Sequence, residues 1–168
     1  MKRILILLLL IISSSAVFAH PWKPRHYVIV DTDAGIDDIK AISMLLASPD
    51  VRVLAISISP GALNAQAGYL KIKSLLNSYY HEGIPVGINR SCSFKSPDFT
   101  NALSAKWGDE ASANPSDAPE SIDMLREIFS IEKNKVSIIC LGGLSTAASA
   151  LKQIPQFRQN IKQIIWKI

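Results

Sequence analysis

Hydrophobic positions change period several times along the 168-residue chain. Tyr27 to Val30 is an unbroken apolar run with β-branched members, the pattern of a strand buried on both faces. Ile36, Ile39, Ile42, Leu45 and Leu46 then recur at helical spacing until Ser48-Pro49-Asp50 stops the helix. Val51 to Ser59 reads as a second strand, and after Pro60-Gly61 a helical pattern runs through Leu63, Ala67, Leu70 and Leu75. Pro85 to Ile88 predicts a short third strand. Asn89 to Ser116 is polar and lacks clear periodicity, and a loop of that length in a compact domain is usually functional or partly disordered. Ile122, Leu125, Ile128 and Phe129 mark another helix, entered through Asp117-Ala118-Pro119-Glu120, where early acids and a proline suit a helix start. Val136 to Cys140 is a fourth strand, Gly142-Gly143 turns into a small-residue helix from Leu144 to Leu151, and Ile161 to Ile168 is a final strand-like run.

Strands alternating with helices of this length predict an α/β fold, a parallel sheet with helices on both faces. Ligands in such sheets sit beyond the carboxyl ends of the strands. Three connections therefore face the expected site: Asp31 to Asp38, Ser59 to Leu63, and Leu141 to Ser145. No internal repeat interrupts the pattern.

Composition refines this picture at the amino terminus. Lys2 and Arg3, the apolar run Ile4 to Ile12, Ser13 to Ser15 and the small residues around Ala16 to Ala19 form a tripartite secretory signal with a cut expected after Ala19. The apolar run is shorter than the roughly 20 residues of a spanning helix. The expected organisation is a signal peptide at 1–19, a linker at 20–26 and one domain at 27–168, exported to the periplasm or secreted. The whole chain is 48% hydrophobic and 19% charged, a composition that can bury a core. Two of the positive charges behind the formal +4 lie in the signal, and the basic residues are scattered without interleaved aromatics, which argues against a nucleic-acid surface. Cys92 and Cys140 form neither a disulfide framework nor a zinc pattern.

The chemistry concentrates in Asp31, Asp33, Asp37 and Asp38, four carboxylates within eight residues where a buried strand gives way to a helix. Like charges this close need a cation, shared protons or helix-terminus donors. A hard cation accounts best for so many oxygens, and calcium suits irregular oxygen ligation better than magnesium. The plainer alternative is that Asp37 and Asp38 merely favour the positive end of the helix dipole while Asp31 and Asp33 are loop residues. Gly35 fits a turn that needs a positive φ or a close backbone approach. An EF-hand is excluded, because Gly35 and Ile42 stand where its fifth and twelfth ligands belong. A phosphatase with an Asp-x-Asp nucleophile also follows a first strand, but usually continues with Gly-Thr or a similar pair.

Asp31-Thr32-Asp33-Ala34-Gly35-Ile36-Asp37-Asp38 resembles the amino-terminal signature of the inosine-uridine-preferring nucleoside hydrolases. The resemblance continues through Val53 to Ile56, Gly61, the Leu141 to Leu144 turn and Gln163 to Trp166. It implies a Rossmann-like amino-terminal half, and hydrolysis of the N-glycosidic bond of a ribonucleoside by a calcium-bound water. Carried over residue by residue, it makes Asp33 and Asp38 ligands of Ca2+ together with the Leu141 carbonyl. Asp33 would also accept the proton of water, Asp37 would bind ribose, and Asp31 would support the cluster. The family's Asn after the glycine closing the second strand is Ala62 here, leaving Asn64 as the substitute ribose contact; no loop histidine stands near Ala105 to Gly108, where Trp107 either stacks on a base or packs into the domain.

The family's later half supplies further ribose contacts, a His-Asp pair and another calcium carboxylate, none of which follows Ile168. The domain is accordingly expected to be incomplete at its carboxyl terminus, with little or no hydrolysis by this chain alone and a face left exposed. A non-catalytic calcium- or ribose-binding remnant is the alternative, and an Asp-x-Asp phosphatase a third. The expected partner is a small-molecule nucleoside, with no nucleic acid, no stable membrane span after signal removal, and room for a homo-oligomer.

Overall fold

The computed structural model describes residues 23–92 and 99–167. The expected signal at 1–19 and the first residues of the expected linker, 20–22, lie outside it. Five strands form one sheet: β1 (His26–Thr32), β2 (Val51–Ile58), β3 (Val86–Ile88), β4 (Val136–Cys140) and β5 (Ile161–Trp166). Their order is β3-β2-β1-β4-β5 and every pairing is parallel. The chain grows outward from β1 in one direction and then the other, so β1 and β4 flank the topological switch point where crevices open in such sheets.

β1 is central, and from Tyr27 onward each of its residues is buried, as its unbroken apolar run requires. Val28 and Val30 join one core cluster, while Tyr27 and Ile29 join the other, because successive side chains leave a strand on opposite faces. The first cluster is closed by α1 (Ile36–Ala47) and α2 (Ala65–Ser78), through Ile42, Tyr69, Ile72, Leu75 and Leu76. The second is closed by α4 (Ser121–Ile131), α5 (Ser145–Gln153) and α6 (Phe157–Asn160), through Leu125, Phe129, Ala147, Ala150 and Phe157. A short α3 (Thr100–Ser104) interrupts the long polar stretch. Each fully buried branched side chain, such as Ile42, contributes about 1.5–3 kcal/mol by leaving water.

Two expected core positions are misplaced. Ile36 is exposed at the first turn of α1, and Leu70 faces solvent while Tyr69 and Ile72 carry the buried stripe of α2. Leu63 is fully buried but precedes the helix, whose start is fixed by Asn64. Trp107, in the polar stretch, is packed into the first core cluster. At the far edge of the sheet β5 leaves Ile164, Ile165 and Trp166 about half exposed. No helix among the described residues is long and apolar enough to cross a membrane.

Candidate functional site

All three expected connections meet at the carboxyl ends of β1, β2 and β4. The Leu63 N–H donates to the Asp33 carbonyl at 3.1 Å, and the Leu141 N–H donates to the Asp31 carbonyl at 2.8 Å. Asp33, half-buried, is wedged between two glycines. A β-carbon on Gly61 would stand 2.2 Å from Asp33 Oδ2, and one on Gly142 would stand 3.0 Å from Asp33 Cβ. Either addition would push the carboxylate out of its place.

Of the two roles expected of Gly35, it fills the close approach and not the positive φ. Its backbone is extended, at φ −63° and ψ 156°, and the left-handed residue of the turn is Ala34, at φ 62°. A buried alanine there stores backbone strain of about 1–3 kcal/mol, held in place by its surroundings. What Gly35 supplies is room. A β-carbon on it would lie 2.9 Å from Asp37 Oδ1, 3.6 Å from Asp33 Oδ1 and 3.7 Å from Asp38 Oδ1. Oxygens of three aspartates thus converge around one glycine.

The four carboxylates sit in distinct environments. Asp31 is fully buried and receives hydrogen bonds from Ser59 Oγ, at 2.9 Å, and Thr146 Oγ1, at 3.0 Å. Burial pushes its carboxyl up to about 6, against the pull of those hydroxyl donors. Thr146 in turn accepts from the buried Asn89 Nδ2 at 2.9 Å. Asp38, also buried, accepts from Thr32 Oγ1 at 2.5 Å and is raised to about 6, first by burial and then by the neighbouring Asp33 charge. Thr32 Oγ1 itself accepts the Ala34 N–H at 3.0 Å, which ties the strained turn to Asp38. Asp37 is exposed on the first turn of α1, where the helix terminus favours negative charge.

Asn64 does not point its amide oxygen at the cluster: that oxygen caps α2 by accepting the Ala67 N–H at 2.9 Å. Ser59, Thr146, Thr32 and Asn89 are site residues the sequence reading missed. Ser59 and Thr146 lie 28 and 115 positions from the aspartate they hold. The one available signal was hydroxyl side chains at strand and turn ends beside an acidic motif.

The donor set, hard carboxylate oxygens gathered around Gly35, suits a calcium-like cation. Among the described residues, no three acidic, histidine or cysteine side chains are already arranged as a ligand set. The positive charge beside them belongs to Lys167, whose Nζ pairs with Asp37 Oδ2 and lies 3.8 Å from Asp38 Oδ1. Neither cysteine is disulfide-bonded; Cys140 is buried, and burial raises its thiol to about 12. A cleft of about 600 Å3, lined by residues such as Val51, Ile84 and Ile131, opens at the opposite end of the strands, away from every aspartate of the cluster.

The description "Inosine-uridine preferring nucleoside hydrolase" matches residues 28–167. The chain is 27% identical over 149 residues to a probable uridine nucleosidase 2 of Arabidopsis thaliana, covering 84% of this chain and 46% of that protein. A probable uridine nucleosidase 1 of Oryza sativa subsp. japonica is 26% identical over the same length, with the same two coverages. Among solved structures, a plant nucleoside hydrolase, the PpNRh1 enzyme, superposes with a TM-score of 0.73 at 27% identity, over 85% of this chain and 48% of that one. The chain spans about half the length of the curated relatives it matches.

Proposed function

Since this chain belongs to the inosine-uridine preferring nucleoside hydrolase family, we propose that its aspartate cluster forms part of a site that hydrolyses the N-glycosidic bond of a ribonucleoside. The observation that carries this reading is the convergence of Asp33, Asp37 and Asp38 oxygens around Gly35, at the switch point of the sheet. The likeness to proteins described as uridine nucleosidases makes uridine the first substrate to test.

In this reading Asp33 and Asp38 would hold a calcium ion with the Leu141 carbonyl. The bound ion would supply the Lewis acidity that makes water nucleophilic at neutral pH and would orient ribose hydroxyls. Asp33, fixed between Gly61 and Gly142, accepts the proton of the attacking water. The water oxygen bonds to the anomeric carbon as the bond to the base breaks, and a proton ends on the departing base. Asp37, exposed at the helix start, accepts a hydrogen bond from ribose. Asp31 touches no substrate in this scheme; with Ser59 and Thr146 it forms a buried hydrogen-bonded unit in electrostatic reach of Asp33.

Binding of calcium and ribose without turnover is the second reading. Release of free base and ribose from uridine or inosine with calcium, lost in EDTA and in Asp33→Ala, supports the first reading. A calcium-dependent rise in melting temperature with no ribose released supports the second. Magnesium-dependent cleavage of a phosphomonoester would remove both. Export belongs to the same proposal, on the strength of the leader-like residues 1–19. A mature protein beginning at His20 would support it, and an intact Met1 on the protein recovered from its native source would count against it.

A further inference from the structure

β5 reaches the aspartates through its carboxyl end. The Lys167 N–H donates to the Cys140 carbonyl at 3.0 Å, continuing the pairing with β4. One residue earlier, Trp166 Nε1 donates to the Gly142 carbonyl at 3.0 Å, on the glycine that also presses against Asp33. Backbone and indole together fix where the lysine stem departs. The ammonium pairs with the exposed Asp37 and stands 3.8 Å from Asp38, which is only 1% exposed.

We propose that Lys167 is a built-in counter-ion of this site, occupying the mouth of the carboxylate cluster so that a divalent cation binds only by displacing it. The inference rests on reading the cluster as a cation site. Two carboxylates face the ammonium: Asp38, a cation ligand in that reading, and Asp37, whose other oxygen joins those of Asp33 and Asp38 around Gly35. Without a metal the lysine offsets the repulsion among the neighbouring acids. With a metal it becomes a like charge at close range. The lysine and Asp37 side chains are 47% and 63% exposed, so the pair is solvent-screened and readily opened. Lys167 therefore lowers cation affinity without abolishing it.

Calcium titration by calorimetry on the full chain, with Lys167→Met, Lys167→Arg and the unaltered protein, tests this. Lys167→Met should bind calcium about fivefold tighter at low salt, an exposed ion pair's worth of competition, and Lys167→Arg should remain near the unaltered value. The gain should shrink at 0.5 M salt, where charges are screened. In the unaltered protein, reductive methylation of Lys167, read by peptide mass spectrometry, should speed up when calcium is added. Equal affinities in all three proteins, or weaker binding by Lys167→Met, would overturn the proposal while leaving the cation site standing. Absence of calcium binding in every protein would overturn the cation site and the proposal together.

Discussion

Replacing Asp31 by Asn should make the protein markedly less sensitive to pH between acid and neutral conditions. Asp31 is 1% exposed, and burial raises its carboxyl from an ordinary 3.8 to about 6. A raised carboxyl means that the folded state holds its proton more tightly than the unfolded chain does. The stability it confers is therefore fully present below about 3.8 and is lost as pH rises through about 6. At 1.36 kcal/mol for each pKa unit, the rise corresponds to about 3 kcal/mol. Asparagine carries no such proton, and the Ser59 and Thr146 hydroxyls can donate to its oxygen as they do to Asp31. Urea unfolding followed by circular dichroism, in EDTA, at steps from pH 3.5 to 7.5, measures the difference directly. The unaltered protein should lose about 3 kcal/mol more than Asp31→Asn across that range. Parallel curves would refute the reasoning, because both proteins would then share every titration that matters. Subtracting the two curves also cancels the contribution of Asp38, which is raised for a similar reason.

Gly61→Ala should destabilise the fold by about 1–3 kcal/mol and weaken calcium binding, since its new methyl would stand 2.4 Å from Asp33 Cβ; melting curves and calorimetry report the two effects separately. Thr146→Val should cost about 1–3 kcal/mol in urea unfolding, because it strips a donor from buried Asp31 and leaves buried Asn89 Nδ2 short of its acceptor. Lys71 Nζ donates to the carbonyls of Leu103 and Ala105, latching the end of α3 and the residue after it onto α2. Lys71→Met keeps the stem but loses the latch, and amide hydrogen exchange in residues 99–111 should accelerate while β1 stays protected.

The order of elements was legible because each depended on local period and on punctuation by Gly and Pro, as at Ser48-Pro49 and Gly142-Gly143. The meeting of the three connections was legible too: a parallel sheet sends its strand ends to one side, and Asp31, Gly61 and Leu141 lie at or just beyond the ends of three of its strands. What escaped was set by contacts between distant positions. Nothing local distinguishes Thr146 from any other small residue at the start of α5, yet its hydroxyl meets Asp31 and Asn89. The pattern placed Leu70 on the buried face, but packing against the sheet buries Tyr69, Ile72, Leu75 and Leu76 and leaves Leu70 outward. A glycine beside an alanine invited the left-handed turn onto Gly35, whereas crowding by three carboxylates reserves Gly35 for space and leaves the strained backbone to Ala34. Lys167 lies 130 positions from Asp37, and only the pairing of β5 beside β4 brings them together.

The wedging of Asp33 between Gly61 and Gly142 also bears on how such a site decays under mutation. Each glycine contributes by what it lacks, so a single added methyl can disable the acid while every charged residue of the motif survives unchanged. A descendant of this sequence could keep all four aspartates, pass any inspection for the signature, and still have lost its chemistry. In judging whether a relative is functional, the two hydrogens at the glycine α-carbons therefore count as heavily as the carboxylates they make room for.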